Sequence, residues 1–137
     1  MNDKCLHKSA EVRCNLTTVW QKWTTPGGLK SFIGMDNQID LNPGGQYEIY
    51  FLMDNPPGLR GGEGNKVLSF LPKKMLSFTW NAPPTIPEVR DHPHRTWVVL
   101  HFDEIDAQNT RITLDHLGWL DGEKWDEAYA YFDNAWE

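Results

Sequence analysis

At 137 residues and a formal net charge of −6, the chain has the length for one domain, residues 1–137, around one core. Its sign is wrong for nucleic acid or an anionic membrane surface, so neither is expected as a partner. The longest apolar run, Ile49 to Met53, is far short of a bilayer span. The opening MNDKCLHKSAEV lacks a signal-peptide core, and Cys5 and Cys14 alone make no disulfide scaffold, so a reduced cytoplasmic protein is expected. The aromatics carry more information: 7 Trp, 6 Phe and 4 Tyr. Each buried ring removes about 150–250 Å² from water, and a core built from such large pieces can leave room for a ligand.

In chain order, KSAEVRC (8–14) alternates as a short strand with Ala10, Val12 and Cys14 on one side. Leu16, Val19, Trp20 and Trp23 then form one stripe of an amphipathic helix, with Asn15 as its N-cap. Thr25 can cap a second helix that opens on Pro26, and Leu29, Phe32 and Ile33 make its stripe. From Met35 the period changes to two. MDNQIDL predicts a strand and NPGG a turn; QYEIYFLMD follows, with Tyr47, Ile49, Phe51 and Met53 on one face. Further strands are expected around EGNKVLSFL and in MLSFTWN, where Leu76, Phe78 and Trp80 share a face. APPTIPEVRDHPH (82–94) reads as a mobile, proline-bearing loop.

The next two strands constrain each other. Val98, Leu100 and Phe102 share one side of HRTWVVLHFD, and Ile112, Leu114 and His116 share one side of TRITLDHLGW. If both sets face one core, paired numbers should sum to about 214 or 216, and the turn through Asp106–Asn109 needs an odd count or a bulge. His116 then points inward and His101 outward. Finally, Asp121 can cap a helix running from Glu123 to the end, with Trp125, Ala128, Tyr129, Phe132 and Trp136 on one face. It should span roughly 20 Å. The economical packing is a single antiparallel sheet of about seven strands with all helices on one face.

VWQKWTTPGGLKSF, PGGQYEI, MLSFTW, TRITLDHLGW and EKWDEAYAYFDNAWE, in that order, resemble the START-like (SRPBCC) superfamily, and within it the activator of Hsp90 ATPase homologue branch. The resemblance runs from about residue 10 to the end. It implies an α+β helix-grip fold: a sheet wrapped around a long last helix, two short helices after the first strand, and a cavity between sheet and helix. Across the superfamily such cavities hold lipids, sterols, polyketides or plant hormones, and in some branches cyclise or hydrolyse them; no catalytic motif of this branch carries over. An Hsp90-type chaperone is not expected as a partner without a separate preceding domain. Relatives continue the last helix further, so a second subunit could complete the cover, consistent with a homodimer.

A small apolar or aromatic ligand is therefore expected, bound by Trp20, Trp23, Phe32, Tyr47, Phe51, Phe78, Trp80, Leu100, His116, Trp125, Tyr129 and Phe132. Most of these rings must be plain core. His116 is the best polar candidate, as a general acid/base or a hydrogen-bonding group, weighed against a satisfied interior histidine. Asp115 and Asp103 face away from it, so no His-Asp relay is expected. DHPH (91–94) lacks the converging ligands a metal needs, and neither metal nor cofactor is expected. Cys14 reads as a buried strand residue rather than a nucleophile. The glycines of LRGGEGNK precede a strand rather than a helix, which argues for a bulge and against a phosphate loop. The acidic clusters DEID and DGEKWDE read as solvated. Binding without chemistry leads; a co-chaperone-like regulator and a cyclase or hydrolase using His116 with Tyr47 or Tyr129 are the alternatives.

Overall fold

The structure, a computed structural model, describes residues 1–33 and 35–136, without the side chains of Phe32 and Ile33. The expected site residue Phe32 thus lies outside the described side chains.

Strand β1 covers Leu6–Val12, starting and ending two residues earlier than the alternation predicts, so that Cys14 lies in the turn that follows. Helix α1 (Leu16–Thr24) begins where Asn15 accepts the Thr18 N–H at 2.8 Å, the expected cap. Thr25 ends α1 and caps α2 (Pro26–Ile33) by accepting the Gly28 N–H at 3.0 Å. Strands β2 (Asp36–Ile39) and β3 (Tyr47–Tyr50) form an antiparallel hairpin, and β4 (Val67–Leu71) and β5 (Met75–Trp80) another. The predicted alternation of the third strand stops at Tyr50. Phe51 and Met53 leave the sheet, 43% and 45% exposed, because the chain turns into the 51–59 loop.

The long strands β6 (Thr96–Asp106) and β7 (Asn109–Leu117) pair as parity demands: Val98 faces His116 and Leu100 faces Leu114. The register then shifts between Glu104 and Asp106, the bulge that lets the turn close without flipping a face. Strand order is β1-β7-β6-β5-β4. The β2–β3 hairpin is a second, two-stranded sheet, joined to the start of β4 by a bridge between Gln46 and Lys66 and to the 58–63 loop by one between Tyr50 and Gly61.

Helix α4 (Glu123–Ala135) buries Trp125, Ala128 and Phe132 against the sheet, as its stripe predicts. Its N-cap is Gly122, not Asp121, whose carboxylate instead accepts from the Asn2 amide at 3.0 Å. The 82–94 segment also departs from expectation. It holds a short helix α3 (Pro87–Arg90), and Ile86, Val89 and Arg90 are buried. Arg90 explains this: its guanidinium donates to the carbonyls of Gly58, Gly61 and Ala82, each at 2.8 Å, and lies 3.3 Å from Glu63. One buried cation thereby ties this loop to the 58–63 loop.

Candidate functional site

The interior is mostly filled. Tyr47 and Phe78 stack at 4.2 Å, Trp20 meets Phe102 edge-on at 5.4 Å, and Leu100 is fully buried. The Tyr47 hydroxyl donates to the Trp23 carbonyl at 2.8 Å, and burial pushes its phenol up from the ordinary value. A void of about 10 Å³ behind Trp80, Trp125 and Phe132 is too small to matter as a ligand site.

Space for a ligand opens instead at one end of the sheet. A half-open apolar cleft of about 330 Å³ lies between the end of α4 and the loops that follow β3 and β5. Its inner wall is Trp80, Phe132 and Trp136; its outer sides are Phe51, Leu52, Gly61, Gly62 and the run Asn81–Pro84, with Tyr131 and Ala135 on the helix. The volume is at the lower end of the roughly 300–1,000 Å³ typical of small-molecule sites. Trp80 and Trp136 lie 5.5 Å apart, and Phe132 and Trp136 are near-parallel at 6.3 Å. The polar side chain Asn81 is already engaged: its amide donates to the Gly61 carbonyl at 3.0 Å and its oxygen accepts from Asn65 at 3.2 Å.

Of the residues expected to line a pocket, the cleft thus brings together Phe51, Trp80 and Phe132. Trp20, Tyr47, Phe78, Leu100 and Trp125 are core residues that do not border it, and Trp23, on α1, is partly buried against that core. Tyr129 packs on Trp119 at 5.2 Å, with the Lys4 ammonium over its ring. The physical reason is distance. An inward-facing ring meets other inward rings along the length of the sheet, and only those near the end of α4 reach the gap.

His116 is inward as expected and fully buried. It has no phenol beside it and is sealed behind packed side chains, so the pairing with Tyr47 or Tyr129 does not form. Its ring lies 4.6 Å from Trp119 and 5.0 Å from Phe132. The Trp136 indole, a donor only, gives its N–H to His116 Nδ1 at 3.0 Å. Nδ1 is therefore the acceptor, the proton sits on Nε2, and Nε2 donates to Thr96 Oγ1 at 2.7 Å. The Thr96 hydroxyl in turn donates to the Trp80 carbonyl at 3.0 Å. Burial pushes the imidazole down to about 3, so it stays neutral near pH 7.

The remaining sequence candidates fall elsewhere. Asp115 faces outward and pairs with His7 at 2.5 Å. His92 and His94 flank Trp125, and His94 Nε2 donates to the Gly118 carbonyl at 2.6 Å. Among the described residues no cluster of three or more His, Cys, Asp or Glu could hold a metal. In the glycine-rich stretch, the N–H groups of Arg60 and Gly61 donate to the Glu63 carboxylate at 3.0 and 2.7 Å. These donors are thereby already engaged by a carboxylate of the same stretch. No helix among the described residues is long and apolar enough to cross a membrane.

Trp136, Tyr131 and the loop residues other than Phe51 are not among the expected lining residues. Trp136 had a signal, since it follows Phe132 by one turn on the same stripe. The other loop residues had none, because long-range contacts from Arg90 and Asn81 to the Gly61 carbonyl bring the two loops together.

A curved antiparallel sheet packed on a long last helix, with an apolar cleft at one end, defines a helix-grip α+β protein. A family model described as Activator of Hsp90 ATPase homolog 1-like protein matches residues 13–137, and the chain belongs to that family. No curated protein matches it. Among solved structures, MLL2253 from Mesorhizobium loti is similar at TM-score 0.72 and 19% identity, over 97% of this chain and 88% of that one. PFC0360w, an Hsp90 activator from Plasmodium falciparum, is similar at TM-score 0.71 and 15% identity, over 98% and 88%. The Aha1 dimer from Colwellia psychrerythraea is similar at TM-score 0.67 and 18% identity, over 98% and 88%. At these identities the likeness concerns the fold.

Proposed function

We propose that this protein binds a small, flat apolar or aromatic molecule in the cleft beside α4 and performs no chemistry on it. The observation that carries this reading is the aromatic inner wall of Trp80, Phe132 and Trp136 around about 330 Å³ of space. Among the described lining residues Tyr131 is the one titratable side chain, and His116 is sealed behind the wall. A bound ring burying on the order of 120 Å² of apolar surface gains about 3 kcal/mol at ~25 cal/mol per Å². Stacking on indoles adds about 0.5–1.5 kcal/mol, and affinity just below the millimolar range is expected for such a ring.

Titration with N-phenyl-1-naphthylamine, a neutral aromatic fluorophore, tests the proposal. Saturable probe emission with quenching of Trp fluorescence is expected. The effect should vanish in Ala135→Trp, which fills the cleft from an exposed helix position. Absence of saturable binding to the unmodified protein would end this reading.

A second reading, regulation of an Hsp90-type ATPase, draws support from the family and from an exposed apolar group beside the cleft, Phe51, Leu52, Met53 and Leu59. It predicts that the protein raises the ATPase rate of a purified Hsp90. It also predicts that Leu52→Asp with Leu59→Asp removes the effect; an unchanged rate with the native protein would dismiss it. Self-association, proposed by analogy with the Colwellia dimer, is read directly by sedimentation equilibrium.

A further inference from the structure

The wall of the cleft conceals a hydrogen-bond acceptor. Behind Phe132 and Trp136 lies His116, held rigidly on most of its sides. Nε2 is committed to Thr96 at 2.7 Å, Trp119 and Phe132 pack on the ring at 4.6 and 5.0 Å, and its backbone carbonyl accepts from the Trp119 indole at 3.0 Å. The partner of Nδ1 is held differently. Trp136 stands at the C-cap, one residue beyond the last helical residue Ala135, and is partly exposed. One face of its indole borders the cleft. Swinging that ring outward would leave Nδ1 without its donor, on the side where the Trp136 indole now stands.

We infer that Trp136 is a displaceable occupant of the site, and that the ligand is a mono- or bicyclic aromatic whose ring N–H or hydroxyl replaces the Trp136 indole on His116 Nδ1. This deepens the cleft-binding proposal and rests on it. The Trp136 ring is itself the template: a flat aromatic seated against Trp80 and Phe132, with one donor reaching Nδ1 at 3.0 Å. Because the Nε2 proton is committed to Thr96, Nδ1 can only accept. A neutral donor therefore fits, whereas a carboxylate or phosphate finds no partner there and meets a chain of net charge −6. Apolar pockets take their specificity from a few placed polar groups. Asn81 is already bonded to Gly61 and Asn65 and Tyr131 is 45% exposed, so the buried acceptor behind the wall is His116.

Indole and benzofuran form the discriminating pair. They have nearly the same shape, only indole has an N–H, and benzofuran is the more apolar, so cleft filling alone would favour benzofuran. In Trp136→Phe, which keeps an aromatic wall but removes the competing donor, indole is expected to bind about five- to ten-fold more tightly, the worth of one hydrogen bond. The ¹⁵N resonance of His116 Nδ1 should move with indole and not with benzofuran. In the unmodified protein the preference is smaller, because one indole exchanges for another. There, saturating indole should shift the Trp136 Nε1–H resonance to the position of a solvent-exposed indole. This arm stands even if the variant fails to fold. Equal affinities with an unmoved Nδ1 signal, or a Trp136 N–H that stays bonded at saturation, would overturn the inference and leave the cleft proposal intact. No binding of either molecule would overturn both.

Discussion

The Arg90 guanidinium reaches from α3 to the Gly61 carbonyl at 2.8 Å, joining residues 29 positions apart in the chain. Gly61 and Ala82, which also accepts from Arg90, stand on different loops of the cleft wall. The shape of the cleft therefore depends on a side chain that does not line it. Glu63 completes the junction. Burial pushes its carboxyl up, but the backbone N–H groups of Arg60 and Gly61 outweigh that and hold it below the usual range.

Arg90→Ala should accordingly destabilise the fold by about 2–4 kcal/mol, because buried carbonyls lose their donors. Arg90→Lys should recover little of this, since an ammonium cannot span three carbonyls in a fixed plane. Urea unfolding measures the first effect. Naphthylamine binding should weaken in both variants at denaturant-free conditions, and native-like binding in Arg90→Ala would show that the loops hold the cleft without the junction.

Leu100 offers the opposite separation. It is fully buried and does not border the cleft. Leu100→Ala should cost about 2–5 kcal/mol through the cavity it leaves, while ligand affinity changes by less than about two-fold. A large loss of affinity in a folded Leu100→Ala protein would instead place the ligand deep under the sheet.

His116 sets a pH dependence. Its folded-state value is depressed to about 3, whereas an unfolded histidine titrates near 6.5. Above about 6.5 both states are neutral and the full stability is present. Below it the unfolded chain takes up a proton that the folded one refuses, so this group removes about 1.4 kcal/mol per pH unit until about pH 3. The Glu63 contribution is lost only at lower pH, so the interval from 7 to 5 isolates the imidazole from it. Unfolding midpoints should fall across that interval. At pH 5 the His116 ¹⁵N pattern should still be that of a neutral ring with its proton on Nε2, and a protonated Nδ1 there would refute the assignment.

Gly118 ends β7 at φ +91, and a Cβ there would lie 2.3 Å from Cζ3 of Trp97. This backbone turn delivers Trp119 beneath His116. Gly118→Ala should cost about 2–4 kcal/mol from left-handed strain and overlap together. Adding Trp97→Ala should return the overlap part, so a thermal-unfolding cycle is expected to be non-additive. Additivity would mean that strain alone accounts for the loss.

Much of this molecule is local in origin and therefore legible in the chain. Asn15 caps α1 and Thr25 caps α2 because a short polar side chain satisfies N–H groups within a few residues of itself. His116 turns inward because a period of two leaves it no choice once Leu114 is buried. The bulge at Glu104–Asp106 follows from requiring two apolar faces to meet. The resemblance to a helix-grip family rests on the same short-range patterns. What these patterns do not contain is which inward ring meets which neighbour. Trp20 went to Phe102, and the Tyr47 hydroxyl to the Trp23 carbonyl, while Trp80 and Trp136 were left with open space between two loops. That outcome depends on contacts such as Arg90 to Gly61 and Trp136 to His116, made across long separations by side chains whose partners no periodicity names. Periodicity decides the face a residue occupies; only the closed tertiary structure decides whether that face is filled.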